Sequence, residues 1–93
     1  MIKTSIIITC YNLEKYISRA INSCLNQTIN DDTYEIIVVD DTSSDSSWEI
    51  IKSFGSMVHS IRHEQNLGVA AASNTGIKAA RGKYIVRVDG DDF

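Results

Sequence analysis

Asp89, Asp91 and Asp92 stand within four residues of one another, with Gly90 between the first two. Carboxylates this close repel, and folding presses them closer. A divalent cation removes that cost. Carboxylate oxygen is a hard donor that favours Mg2+, Mn2+ or Ca2+ over thiophilic metals. Such ions often join one or two carboxylates to the phosphates of a substrate. Gly90 permits the tight turn that would aim Asp89 and Asp91 at one point. A solvated acidic turn has the same composition, so the run alone does not decide between the two. A second cluster is Asp40-Asp41-Thr42-Ser43-Ser44-Asp45. Asp40 and Asp41 suit either of two tasks, accepting from a base N–H or ribose hydroxyl, or closing their own turn. Asp45 is placed to favour the start of a following helix. The third cluster is Thr9-Cys10-Tyr11-Asn12. An exposed Tyr11 would stack on a nucleobase; a covered one would pack beside the sheet. Asn12 has the side chain of a helix cap.

These clusters need elements to carry them. Residues 4–9 and 34–39 are short, β-branched and almost wholly apolar. Runs of that kind fit strands buried on both faces, as in a parallel sheet. Residues 84–88 make a third candidate strand and 58–62 a weaker fourth. Leu13, Tyr16, Ile17, Ala20, Ile21, Cys24 and Leu25 recur at steps of three and four, which is one stripe of a helix. Asn12 is expected to cap it. A second helix is expected from Ser46, whose spacing to Glu49 is that of a capping box, with Gly55 as its stop. A third spans about 69–80. Its small residues, Gly68 to Asn74, allow close approach to the sheet or present a helix start to phosphates. Trp48 is a core or rim residue. His59 and His63 have no cysteine nearby and are assigned no metal role. The order β-α-β-α-β-α-β argues for an α/β fold with a mainly parallel sheet and helices on both faces. Each polar cluster follows a strand, so all should converge on one sheet edge.

Composition narrows the function. The 93 residues make one small domain, and 43% hydrophobic with 23% charged residues is the balance of a folded chain. A net charge of -3 excludes a basic, sequence-independent grip on nucleic acid. No apolar run approaches the roughly 20 residues that cross a bilayer, and no charged leader precedes one. A cytoplasmic location is therefore expected. Cys10 and Cys24 are too few for a disulfide framework and read as reduced core residues. Proline is absent, so turns rest on Asn, Asp, Gly and Ser. The sequence stops just after a strand, where parallel α/β sheets complete their binding sites. It is expected to be the N-terminal piece of a larger domain.

Ile6-Ile7-Ile8-Thr9-Cys10-Tyr11-Asn12 and Glu35-Ile36-Ile37-Val38-Val39-Asp40-Asp41-Thr42-Ser43-Ser44-Asp45 resemble the opening of family 2 glycosyltransferases. Asn66-Leu67-Gly68, Asn74-Thr75-Gly76-Ile77 and Gly82-Lys83-Tyr84-Ile85 continue the likeness, and Asp89-Gly90-Asp91-Asp92 resembles the family's Asp-X-Asp element. Each motif is weak, but five in register over nearly the whole chain are specific. The resemblance implies the nucleotide-binding half of a GT-A domain over residues 1–93, cut after the Asp-X-Asp element. It implies a nucleotide-sugar donor, most often a UDP-sugar, and Mn2+ or Mg2+. Thr9 and Tyr11 would lie against the base, Asp41 would accept from the uracil N3–H, Asp89 would meet the ribose or the metal shell, and Asp91 would bind the metal. Transfer would invert the sugar, with a carboxylate base deprotonating the acceptor. No residue here is a credible catalytic base, so the chain alone is expected to be inactive. Two positions depart from the family's habit: Thr9 where Pro is common, and Ser73 where Arg is common.

Rival classes fit less well. A dehydrogenase needs a Gly-X-Gly-X-X-Gly turn after the first strand, and Thr9-Cys10-Tyr11-Asn12 has no glycine. A phosphotransferase with a nucleophilic Asp-X-Asp carries it near the start of the chain. A non-enzymatic phospho-receiver would use Asp40-Asp41 and Asp89 but wants a lysine after a later strand. A structural, partner-binding fragment is the remaining alternative. An uncovered edge at residues 84–88 would invite pairing, so a homodimer is expected.

Overall fold

Ile and Val dominate two adjacent strands, and their side chains alternate between two separate cores. The computed structural model describes residues 1–28 and 30–91. Its elements are β1 (Thr4–Cys10), α1 (Ile17–Thr28), β2 (Tyr34–Asp40), α2 (Ser47–Lys52), β3 (His59–Arg62), α3 (Val69–Ala79) and β4 (Tyr84–Asp89), with a 3-10 turn at Gly55–Met57. All strand pairs are parallel, in the order β3-β2-β1-β4. Period two sends Ile6 and Ile8 of β1 to the face covered by α1 and α2, where Ile17, Ile21 and Ile51 meet them. Ile7, Ile37 and Val39 point the other way, against Ala72 of α3. The expected α/β architecture is thus present, and α1 buries Ile17, Ala20, Ile21 and Cys24 at the expected helical spacing.

The chain leaves β1 for β2 and β3 on one side, then returns through α3 to place β4 on the other. The sheet order therefore reverses between β1 and β4. Crevices outside the carboxyl ends of strands at such a switch point are where α/β folds bind ligands. Among the described residues β4 pairs on one side only and exposes Tyr84, Ile85 and Val86, the surface on which the expected self-association rests.

The opposite end of the sheet fixes where β4 lies. Buried Ser5 donates from Oγ to Glu35 Oε2 at 2.6 Å and accepts from the Gly82 amide at 2.9 Å. Arg81 donates to the same carboxylate from its amide at 2.7 Å and from Nε at 3.1 Å. This clamp ties the α3–β4 connection to β1 and β2. The register then runs from Thr4 opposite Tyr84 to Thr9 opposite Asp89.

Two capping expectations are corrected. Asn12 does not cap α1. It has a left-handed backbone, φ 52°, and its Oδ1 accepts from the amides of Ser44 and Asp45 at 2.8 and 3.4 Å. The amides before α1 are met from the other loop. Asn12 donates to Ser43 Oγ, Leu13 to Ser47 Oγ and Glu14 to Asp45 Oδ2, at 2.9, 2.9 and 3.2 Å. Ser46 makes no side-chain cap for α2 and the capping box with Glu49 does not form. Asp45 takes that place, accepting from the Ser47 amide at 2.9 Å.

Candidate functional site

The strand ends after β1, β2 and β4 enclose a cleft of about 360 Å3. Thr9, Tyr11, Asp41, Asp89 and Asp91 all line it, together with Gly68 at the start of α3. The three sequence clusters do converge.

Thr9 and Asp89 face one another across the β1–β4 ladder, and Thr9 Oγ donates to Asp89 Oδ1 at 3.4 Å. Gly90 then turns the chain, and its amide donates to the Thr9 carbonyl at 2.8 Å. A side chain at Gly90 would stand 2.7 Å from that carbonyl and 2.9 Å from Leu13 Cδ1. Only glycine fits, and the contact sets Asp89 and Asp91 on either side of a fixed point. Both carboxylates are exposed. Asp92 lies outside the described residues. Tyr11 is 49% exposed at the rim, available to a planar ligand instead of packed into the core.

The structure separates Asp40 from Asp41, which residue pattern treats alike and only the family resemblance tells apart. Asp40 is fully buried and turned away from the cleft. It accepts from the Ser43 amide and hydroxyl at 2.9 and 2.5 Å and pairs with Arg62 Nε at 3.5 Å. Arg62 also stacks 5.7 Å from the centre of the Trp48 ring, which packs half-buried at the rim of the core. Asp41 faces the cleft although only 4% exposed. Its Oδ1 accepts from the Leu67 amide and from His63 Nδ1, each at 2.8 Å, and its Oδ2 from the Gly68 amide at 2.8 Å. Burial alone would raise its pKa, but the bonds from Leu67, His63 and Gly68 outweigh that and lower it. Asp41 is therefore a carboxylate at neutral pH. A carboxylate has about four acceptor positions, so Oδ2 keeps one for a ligand.

The start of α3 faces the cleft, one of the two arrangements that the small residues allow, but two amides at that end, Leu67 and Gly68, are already used by Asp41. Ser73 is 3% exposed inside α3. Cys10 also borders the cleft, yet burial, aided by the charge of Asp40, pushes its thiol up to about 11 against the opposing bonds from Ser47, Ser43 and Leu13. It is a packed thiol and not a nucleophile. The residue that sequence reasoning missed is His63, whose ring bridges Asp41 and Thr75. Spacing carried no signal for it, because its partners are 22 and 12 residues away.

A conserved domain description, glycosyl transferase family 2, matches residues 5–93, and the chain belongs to this family. It is similar to the uncharacterized glycosyltransferase EpsJ of Bacillus subtilis (strain 168), at 48% identity over 91 residues, covering 96% of this chain and 26% of EpsJ. Among solved structures it resembles S. aureus TarS 1-349 in complex with UDP-GlcNAc. There the TM-score is 0.85 at 32% identity, over 97% of this chain and 27% of that one. Mannosyltransferase PcManGT from Pyrobaculum calidifontis, in complex with GDP-Man and Mn2+, gives a TM-score of 0.88 at 23% identity, over 96% and 27%. That likeness bears on the fold alone. The fold is that of GT-A glycosyltransferases. The chain spans about a quarter of the length of these three proteins. Among the described residues, no helix is long and apolar enough to cross a membrane.

Proposed function

We propose that this chain is the donor-binding part of a cytoplasmic, inverting glycosyltransferase that takes a UDP-sugar. Tyr11 stacks on the base beside Thr9. The free acceptor position of Asp41 receives the uracil N3–H. Asp89 meets the ribose or the metal shell, and Asp91 binds the metal. The observation that carries this reading is the arrival of all five residues at one cleft from three separate strand ends. Its size is within the range of small-ligand sites. The relatives supply the family, and the complex of TarS with UDP-GlcNAc supports a uridine donor.

The donor set fits a hard divalent cation. Asp89 and Asp91 are exposed carboxylates about Gly90, and among the described residues no cluster of three His, Cys, Asp or Glu side chains could hold a metal. Two carboxylates are what Mg2+ or Mn2+ uses when substrate phosphates complete its shell. When bound, such an ion supplies Lewis-acid stabilisation of charge on the departing diphosphate. The base for the acceptor is not among the carboxylates of the cleft. Asp41 is committed to its amides, and Asp89 and Asp91 to donor and metal.

The test is the thermal midpoint with UDP, with and without Mn2+, for the chain and for Asp91→Ala. A ligand at about a hundred times its Kd adds roughly 2.7 kcal/mol. For a domain of this size that is a rise on the order of 10–20 °C. The expected result is a Mn2+-dependent rise that Asp91→Ala loses. No rise with any nucleotide, with or without metal, refutes the reading.

A further inference from the structure

We propose that His63 is a positioning residue for this cleft, a ring anchored to α3 at Thr75 whose Nδ1–H holds the Asp41 carboxylate toward the ligand. The functional half of this inference rests on the nucleotide reading above; the hydrogen bonds of the ring do not.

His63 follows β3 directly, and its amide donates to the Asp40 carbonyl at 3.0 Å, which fixes its backbone against the end of β2. Its side chain is only 8% exposed. Nδ1 lies 2.8 Å from Asp41 Oδ1, and Nε2 lies 2.7 Å from Thr75 Oγ. The proton inventory then fixes Nδ1. An ionised carboxylate only accepts, so Nδ1 carries a proton and donates it to Asp41. Thr75 Oγ also lies 3.0 Å from the Ala71 carbonyl, so the hydroxyl stands between Nε2 and the helix backbone and anchors the ring to α3. The other ionisable groups on the surrounding segments are Asp40 at the end of β2, Arg62 and Glu64 on either side of His63, and Lys78 on α3. Asp41 is the one in hydrogen-bond contact.

This arrangement ties α3 to the cleft. The two backbone amides at the start of the helix grip Asp41 from one side and His63 from another, while Thr75, further along the same helix, anchors the ring. Without His63 the carboxylate keeps its two amide bonds but loses the side-chain donor that stops it turning from the base.

Long-range 1H–15N correlation spectra of the histidine-labelled chain read the ring directly, with exposed His59 as internal reference. His63 Nδ1 should carry a proton in a hydrogen bond. A His63 ring with a bare Nδ1 overturns the inference. UDP affinity in the presence of Mn2+ is the second readout. Hydrogen bonds to charged groups are strong enough that His63→Leu should weaken UDP binding about tenfold. His63→Gln, which keeps one N–H for Asp41, should recover most of the loss. Unchanged affinity in a folded His63→Leu overturns the positioning role. A ring protonated at Nδ1 in a chain that binds no UDP would instead refute the nucleotide reading and, with it, that role. The two failures are thus distinguishable.

Discussion

Gly90→Ala should damage stability and ligand binding together. The added methyl would lie 2.7 Å from the Thr9 carbonyl oxygen, 2.9 Å from Leu13 Cδ1 and 3.1 Å from Ile17 Cδ1. Leu13 can rotate and Ile17 can shift slightly. The Thr9 carbonyl cannot, because it belongs to β1 at the centre of the sheet and already accepts the Gly90 amide at 2.8 Å. The end of β4 must therefore move away and stretch that bond. Overpacking of this kind costs about 1–3 kcal/mol. In a domain this small each kcal/mol lowers the midpoint by about 4–8 °C, so a fall of roughly 4–24 °C is expected. The same movement displaces Asp89 and Asp91, so the rise in midpoint with Mn2+ and UDP should shrink or vanish. Gly55→Ala is the control. It has open space around it but a left-handed backbone, φ 60°. Its cost, about 1–2 kcal/mol, is conformational and far from the cleft. Differential scanning calorimetry of the chain and both variants, with and without Mn2+ and UDP, gives the comparison. Gly90→Ala melting within about 2 °C of the parent, with its response to Mn2+ and UDP intact, would refute the steric argument.

Acid should destabilise the fold through Asp41 and Asp45. Burial raises both pKa values, but hydrogen bonds outweigh it and hold both below the ordinary carboxylate range. Their contribution is present above the unfolded value of about 3.9 and is lost as pH falls through the folded values, because the unfolded chain then binds more protons. Urea midpoints measured from pH 7 downward should drop in this acid range, and less steeply in Asp41→Asn; equal slopes would count against the assignment. Cys10 should resist iodoacetamide at pH 8 while folded, since burial pushes its thiol up to about 11, and should react once urea exposes it. Rapid labelling of Cys10 in the native chain would contradict the packing described.

Strands and helix faces were legible because hydrophobic period survives in one sequence. Ile6, Ile7 and Ile8 read as a strand buried on both faces, and each packs into one of two cores. Chemistry at strand ends was legible for a related reason. A parallel sheet brings its carboxyl edges together whatever the loops between them, so Thr9, Asp41 and Asp89 had to meet. What residue pattern could not separate was Asp40 from Asp41; only the family resemblance singled out Asp41. The two are adjacent, and a strand end sends adjacent side chains to opposite sides. One meets Arg62 and Ser43, the other the start of α3. That choice depends on where β3 and α3 end up, which is tertiary.

The misassigned caps share that cause. Asn12 and Asp45 do accept from free amides, Asp45 from Ser47 at the start of α2 as expected, whereas Ser46 makes no side-chain cap and Asn12 serves amides distant in sequence instead of those of α1. In the fold the β1–α1 and β2–α2 loops lie side by side, so each finds its nearest donors in the other. Asn12 reaches 32 residues to Ser44, and Asp45 reaches 31 to Glu14. Asn12 can do so because its left-handed backbone, which asparagine tolerates better than most residues, turns its side chain across to the neighbouring loop. The exchange has a consequence for the site. Tyr11 sits directly before Asn12, and Asp41 lies four residues before Asp45. Bonds that cross between the two loops therefore hold Tyr11 and Asp41 in one frame at the cleft. Donors supplied by main chain, as Leu67 and Gly68 supply Asp41, leave no trace in residue type, and this is why the cleft's carboxylates could be read while their supports could not.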